Sequence, residues 1–384
     1  MAKASPAIDT PLRNQLEKLA AFEPLDVPVL SLYLNLALDQ HGRENYDVFL
    51  RKAFAEHLKA YKEDSAERAS LERDIERVNA YLADEVNRSA KSLAIFASAG
   101  GGEFFEALQL DVPMEEHWLF LGSVPHLYPL ACVIDQNPRY ASVILDTHHA
   151  RIFVFGMGSV EKREQVTGVK TRRSSMGGWS QARYQRRADN FHLHHVKEVV
   201  ETLDRIVTND RIQHIIVAGD DVVVPLLKDQ MPKHLTEKLV DVLKLDKHAA
   251  EDDIIQATLG VLRQKDAESD VERVNELIGA WRSNGLGVVG PEAVLSAFQL
   301  GQVDEMLITG AAHDLKAVQL PDDASPGSVV AETSGAAPGT AQQIKLSDEL
   351  VTRAQQTGAR VRIIEDPELM KEFGGVGALL RFRI

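Results

Sequence analysis

An α/β protein built as three consecutive α/β domains is the fold the sequence predicts. Apolar runs of strand length recur between stretches whose apolar residues repeat at helical spacing. The 384 residues are too many for one core, since domains run to roughly 100–200 residues. The composition, 44% apolar and 26% charged with a formal charge of −14, is that of an ordinary globular chain and excludes disorder or a collagen.

The first domain is expected over residues 1–136. Val29 to Leu36 (VLSLYLNL) reads as a strand, and Val48, Leu50, Phe54, Leu58 and Tyr61 then repeat at helical spacing. Leu71, Ile75, Val78 and Leu82 continue as a second amphipathic helix. LAIFAS after Ser92 is a buried strand ended by Gly100, Gly101 and Gly102, and a turn-rich passage leads to Pro129.

The second domain is expected over 137–280. From Tyr140, ASVILD, a short THHA connection and RIFVFG form a β-hairpin, with an Arg-rich loop directly after it. A long helix follows from about Ala188 to Val207, then a strand at Ile215 to Gly219, then helices to about Gly279. The third domain, 281–384, opens with Pro291 as the first residue of a helix stopped at Gly301, followed by the strand Glu305 to Thr309. Residues 321–342 hold 16 Pro, Gly, Ser, Thr or Ala among 22, too little bulky apolar surface to offset ordering, and read as a mobile insert. After it, Ser347 can cap a helix ending at Gly358, and ARVRII and ALLRFRI supply the last strands.

Several function classes fall away early. The stretch from Met1 to Leu12 lacks the positive start and apolar core of a secretion signal, and no run approaches the roughly 18 apolar residues of a membrane helix. A cytoplasmic protein without a membrane role is therefore expected. The lone Cys132, in an expected linker, can form no internal bridge and has no composed base beside it. Net acidity opposes indiscriminate nucleic-acid binding, but one segment reverses the sign. Between Lys162 and Arg187 eight basic residues stand against the single acid Glu164, a local charge of +7.

Inside that polycation lies Gly177-Gly178-Trp179-Ser180-Gln181-Ala182-Arg183-Tyr184-Gln185-Arg186-Arg187. Paired glycines let a backbone take positive φ and approach another chain closely. Arginines offer forked donors to phosphate and planar faces to bases, and Trp179 offers a ring for stacking. Gln181 carries an amide with no proton to exchange near neutral pH, so its chemistry is to orient water or stabilise charge.

At these residues the chain resembles the archaeo-eukaryotic class 1 release factors, with their bacterial release-factor-like branch, Pelota and the peptidyl-tRNA hydrolases of ribosome quality control. Those factors carry a hairpin, a basic GGQ loop and a long helix, matched by GGWSQARYQRRADNFHLHHVKEVVETL. Gly290 to Thr309 (GPEAVLSAFQLGQVDEMLIT) and Thr357 to Arg383, with FGGVGALLRFR, resemble the family's third domain. That likeness implies a third domain similar to the α-β-α sandwich of kink-turn RNA-binding proteins. Two departures stand out. The Gln follows two places later than in GGQ, closer to a GxxQ spacing, and KEDSAERAS at Lys62 to Ser70 stands where the family reads stop codons with NIKS.

The resemblance implies hydrolysis of the peptidyl-tRNA ester independently of stop codons, in ribosome rescue or quality control. Gln181 would position the attacking water and Gly177 and Gly178 would permit the turn, while Arg172, Arg173, Arg183, Arg186, Arg187 and Trp179 would hold RNA. A non-catalytic ribosome- or tRNA-binding factor like Pelota is the alternative. Expected partners are the ribosome with its rRNA, peptidyl-tRNA and, through the third domain, a translational GTPase. No cofactor or metal is expected. His192, His194 and His195, with His148 and His149, lack HExxH or paired-Cys spacing, and Gly156-x-Gly158 lacks the rest of a dinucleotide fingerprint.

Overall fold

A computed structural model describes residues 11–23, 26–38, 46–87, 89–167, 181–246, 248–318, 330–333 and 339–383, with the backbone alone for residues 11, 181–189 and 330–333. The chain divides into two compact units, Met1–Gln136 with Ala267–Ile384, and Asn137–Asp266. Three sheets with helices against them make it an α/β protein.

In order, the first stretch runs α1 (Pro11–Ala20), β1 (Val29–Asn35), α2 (Tyr46–Lys59), α3 (Ala66–Asp84), β2 (Ser92–Ser98), β3 (Phe104–Leu110), β4 (Trp118–Gly122) and α4 (Tyr128–Gln136). Leu30, Leu32 and Leu34 of β1 point to one face at the two-residue period of a strand. There they meet Leu50 and Phe54 of α2 and Leu71 and Val78 of α3. Ser65 starts α3, its side chain accepting from Arg68 N at 3.2 Å, so Lys62 to Ser70 forms the α2–α3 turn and the first helical residues. The passage read as turns before Pro129 instead contains β3 and β4, both antiparallel members of the first sheet. Both are short apolar runs, FFEALQL and WLFLG, between turn residues, and pairing with β2 and β1 orders them as strands.

The second unit holds β5 (Tyr140–Leu145), β6 (His149–Gly156), β7 (Ser159–Thr167), α5 (Gln181–Asn209), β8 (His214–Gly219), α6 (Val223–Gln230), the short α7 (Lys233–Thr236), β9 (Leu239–Leu243) and the start of α8 (Glu251–Arg282). Its sheet has the order β7-β6-β5-β8-β9. The hairpin pairs antiparallel, while β5, β8 and β9 run parallel. Alternation again sorts the faces. Ala141, Val143 and Leu145 pack with Val196, Val199 and Leu203 of α5, whereas Tyr140 and Ile144 pack with Ile254 and Leu262 of α8. β9 lies in a stretch read as helical, because LVDVL is too short for periodicity to decide.

The remainder comprises β10 (Gly287–Val289), α9 (Pro291–Gln299), β11 (Val303–Thr309), β12 (Val330–Thr333), α10 (Ala341–Thr357), β13 (Arg360–Ile364) and β14 (Val376–Leu380). Pro291 is the first residue of α9 and Gly301 takes φ +65°, as start and stop. The sheet β10-β14-β11-β13 is mixed, with β11 and β13 parallel. Two readings need correction. Within residues 321–342, Val330–Thr333 forms a strand that pairs antiparallel with Trp118–Leu121 of β4, and Ala341 already belongs to α10. A small-residue composition does not register long-range pairing. The cap of α10 is Thr340, whose hydroxyl accepts from Gln343 N at 3.3 Å while Gln343 Oε1 accepts from Thr340 N at 2.8 Å. Ser347 is a buried residue inside the helix, donating to Ile344 O at 2.8 Å. Thr340→Ala is expected to lower stability by about 1 kcal/mol in denaturant titration, the usual worth of such a cap.

Candidate functional site

The expected site falls largely on α5 and the chain leading into it. Gly177, Gly178, Trp179, Arg172 and Arg173 lie outside the described residues. Gln181 is the first residue of α5, which starts seven residues before the expected Ala188, and Arg183, Arg186 and Arg187 follow within its first two turns. A helix N-terminus carries partial positive charge, and no acid stands in this first turn to oppose it.

The strand entering this region is held firmly. β7 pairs with β6 along nearly its whole length, ending with Thr167 opposite His149. Four ion pairs pin it: Arg139 to Glu161 at 2.5 Å, Lys162 to Asp210 at 3.3 Å, Arg163 to Glu251 at 2.5 Å and Arg205 to Glu164 at 2.6 Å. The Glu251 carboxylate raises the Arg163 pKa, and the Arg163 guanidinium lowers that of Glu251. This corrects the reading of Lys162 and Arg163 as part of a basic loop. Both sit in a strand against acids from elsewhere in the fold, which a count of neighbouring charges does not see.

At the same end of the sheet, in the turn between β5 and β6, Asp146 Oδ1 accepts from His148 N and His149 N, each at 2.7 Å, and Asp146 N donates to His149 O at 2.8 Å. The His148 ring meets Phe191 of α5 edge-on at 5.3 Å between centroids. His194 is exposed, with Glu198 at 3.4 Å, whereas His195 is only 1% exposed. Burial lowers the His195 pKa below its ordinary value. Among the described residues no group of three or more His, Cys, Asp or Glu is placed to hold a metal ion. At the end of β8, Gly219 lets the chain pass close to β5, since a Cβ there would stand 2.1 Å from Leu145 O.

Three features outside the loop escaped the sequence. Cys132 lies in α4, not in a linker, and burial pushes its thiol up to about 12, which keeps it protonated and unreactive. In the first sheet the glycine turn after β2 is clamped by α3. Gly100 N donates to Ser70 Oγ and Ala99 N to Asp74 Oδ1, each at 2.8 Å, and burial pushes Asp74 up to about 6. In the C-terminal part a cleft of about 520 Å3 is lined by Trp281, Arg282, Pro291, Lys316 and Phe373. Among the described residues no helix is long and apolar enough to cross a membrane.

The chain thus carries three sheets, and in the second unit a hairpin is followed in sequence by a basic glycine segment and a long helix. Two stretches of the chain match models of release-factor families. Residues 125–263 match the family described as Bacterial archaeo-eukaryotic release factor family 10, and residues 267–384 match eRF1 domain 3. The Peptide chain release factor subunit 1 of Pyrococcus abyssi (strain GE5 / Orsay) is 22% identical over 97% of this chain and 98% of its own. Its namesake in Thermococcus kodakarensis (strain ATCC BAA-918 / JCM 12380 / KOD1) is 21% identical over 97% of both chains. The crystal structure of Archaeoglobus fulgidus Pelota aligns with 13% identity over 98% of this chain and 94% of that one, with a TM-score of 0.35.

Proposed function

We propose that this chain is a cytoplasmic, ribosome-associated factor that hydrolyses the peptidyl-tRNA ester without reading a stop codon, in ribosome rescue or quality control. The observation that carries the reading is the direct passage from the Gly177-Gly178 segment into α5 at Gln181. An ester buried in RNA needs water held in line and a tetrahedral oxyanion stabilised by fixed dipoles, not a strong acid or base. An amide at the positive end of a long helix meets that need. Arg172, Arg173, Arg183, Arg186 and Arg187 supply phosphate contacts, and Trp179 a stacking surface. The ribosome supplies the rest of the reacting site. The α2–α3 turn carries Lys62 to Ser70 in place of a NIKS segment, which supports independence from stop codons.

A Pelota-like factor that binds the ribosome without cleaving the ester is the second reading, favoured by the two residues that separate Gly178 from Gln181. A translational GTPase would then dock on the C-terminal part in either case. The deciding experiment is release of labelled peptide from stalled ribosome–nascent-chain complexes with no stop codon in the A site. Release supports the hydrolase; salt-sensitive binding without release supports the Pelota-like reading. If five arginines contact phosphate, a threefold rise in salt should weaken ribosome binding by roughly 50- to 150-fold. A flat salt response in a filtration or pelleting assay would remove RNA as the target.

A further inference from the structure

His195 is out of place for a core position. It is 1% exposed, next to Val196 and Val199 in the apolar face of α5, and neither ring nitrogen completes a hydrogen bond of ordinary geometry. Buried polar groups without partners are uncommon, and each calls for a reason. A leucine would pack there without leaving nitrogens unsatisfied. What an imidazole adds is a charge that can be switched on, and a cation in such a seat is strongly disfavoured.

The surroundings say what that seat supports. The groups that act on the ring are the main chain of His149, within weak hydrogen-bonding reach, and the charges of Asp146, Glu198 and the His149 ring. Asp146 closes that turn by accepting from His148 N and His149 N and donating to His149 O. His149 also pairs across the sheet with Thr167, the last residue of β7, and His148 touches Phe191 of α5. One buried ring therefore sits where the turn, the end of β7 and α5 converge.

We propose that His195 is a positioning residue. As a neutral ring it props the Asp146–His149 turn against α5 and so fixes the stem formed by Thr167 and that helix, and on protonation it leaves its seat and loosens the turn. The titratable groups that face it are Asp146 and His149 of the turn and Glu198 of its own helix; His149 opposes a positive charge and the two acids favour it. Burial outweighs the acids, which places the folded-state proton affinity below that of a free imidazole. The turn is then held fully above about pH 6.5 and progressively lost as pH falls from there to the folded value. The consequence for peptide release rests on the function proposed above; the consequence for the turn does not.

The test is an NMR titration of the histidine rings of the whole protein, with amide-exchange protection read at residues 146–150 and at Thr167 between pH 7.5 and 5.5. His195 should protonate below the ordinary imidazole range. Protection should begin to fall near pH 6.5 and level off once His195 has protonated, by at most about tenfold per pH unit in that window. In His195→Leu protection should stay level across the range. Protection that ignores His195 protonation in the native protein, or that falls equally in His195→Leu, overturns the proposal; the native titration suffices alone if the variant does not fold. Release by native protein should decline in the same window and that by His195→Leu should not. Absence of release at every pH would defeat the hydrolase reading while leaving the turn measurement to decide this one.

Discussion

Gln181→Ala is expected to cut peptide release from stalled complexes by about 100-fold or more while leaving ribosome affinity unchanged. The magnitude is that of removing one preorganised group from an acyl-transfer site, where ordered dipoles do most of the work. Alanine is an excellent helix former, so α5 should begin where it does now and the arginines behind it should keep their register. Gly178→Ala should lower release comparably by a different route, through the backbone freedom lost at a close approach. The pair is informative because the two routes are independent. Loss in both variants with binding intact assigns the chemistry to this segment. Full activity in Gln181→Ala would show that the displaced amide takes no part, and the ester would have to be attacked with ribosomal groups alone.

How far the sequence reveals this arrangement depends on how local each cause is. Strands β1, β2, β5 and β8 are legible because each is an apolar run bounded by turn residues, and each proves to be buried along nearly its length. Gly301 and Gly358 mark helix ends correctly because a positive φ is a demand of the local chain, +65° and +63° here. The failures are of another kind. β12 owes its order to β4, more than 200 residues away, and Val330–Thr333 alone offers nothing to register it. Lys162 and Arg163 look like members of a cationic loop until Asp210 and Glu251 are brought beside them. At the candidate site, the identity of Gln181 and its arginines is legible from residue order, and the position of Gln181 at the first turn of α5 is not. His195 reads as one of three histidines within four residues; only the fold separates it, buried, from exposed His194.

The largest stability effect is expected at a residue that sequence gave no reason to notice. Asp348 in α10 is buried and hydrogen-bonded to the ring of His126, and its Oδ1 accepts from Leu127 N at 2.9 Å and Tyr128 N at 3.3 Å. The same short segment is tied to the first sheet, since His126 N donates to Ser31 Oγ at 2.9 Å and Tyr33 donates to His126 O. It is also tied to the second, because Tyr128 donates to Thr309 O at the end of β11. One carboxylate thus joins α10 to the segment that binds both sheets of the first compact unit. Asp348→Ala strands two main-chain donors and a ring nitrogen in a buried place, which should cost about 3–5 kcal/mol. That is a large share of a typical folding free energy of roughly 5–15 kcal/mol, so the transition should broaden or split as the sheets uncouple. Asp348→Asn keeps an oxygen for the two main-chain donors and should lose less than half as much. Denaturant unfolding followed separately by Trp118, in the first sheet, and Trp281, beside the second, reads the outcome. A loss under about 1 kcal/mol in Asp348→Ala, or equal losses in both variants, would mean that apolar packing of α10 holds the unit together and the carboxylate only occupies space within it.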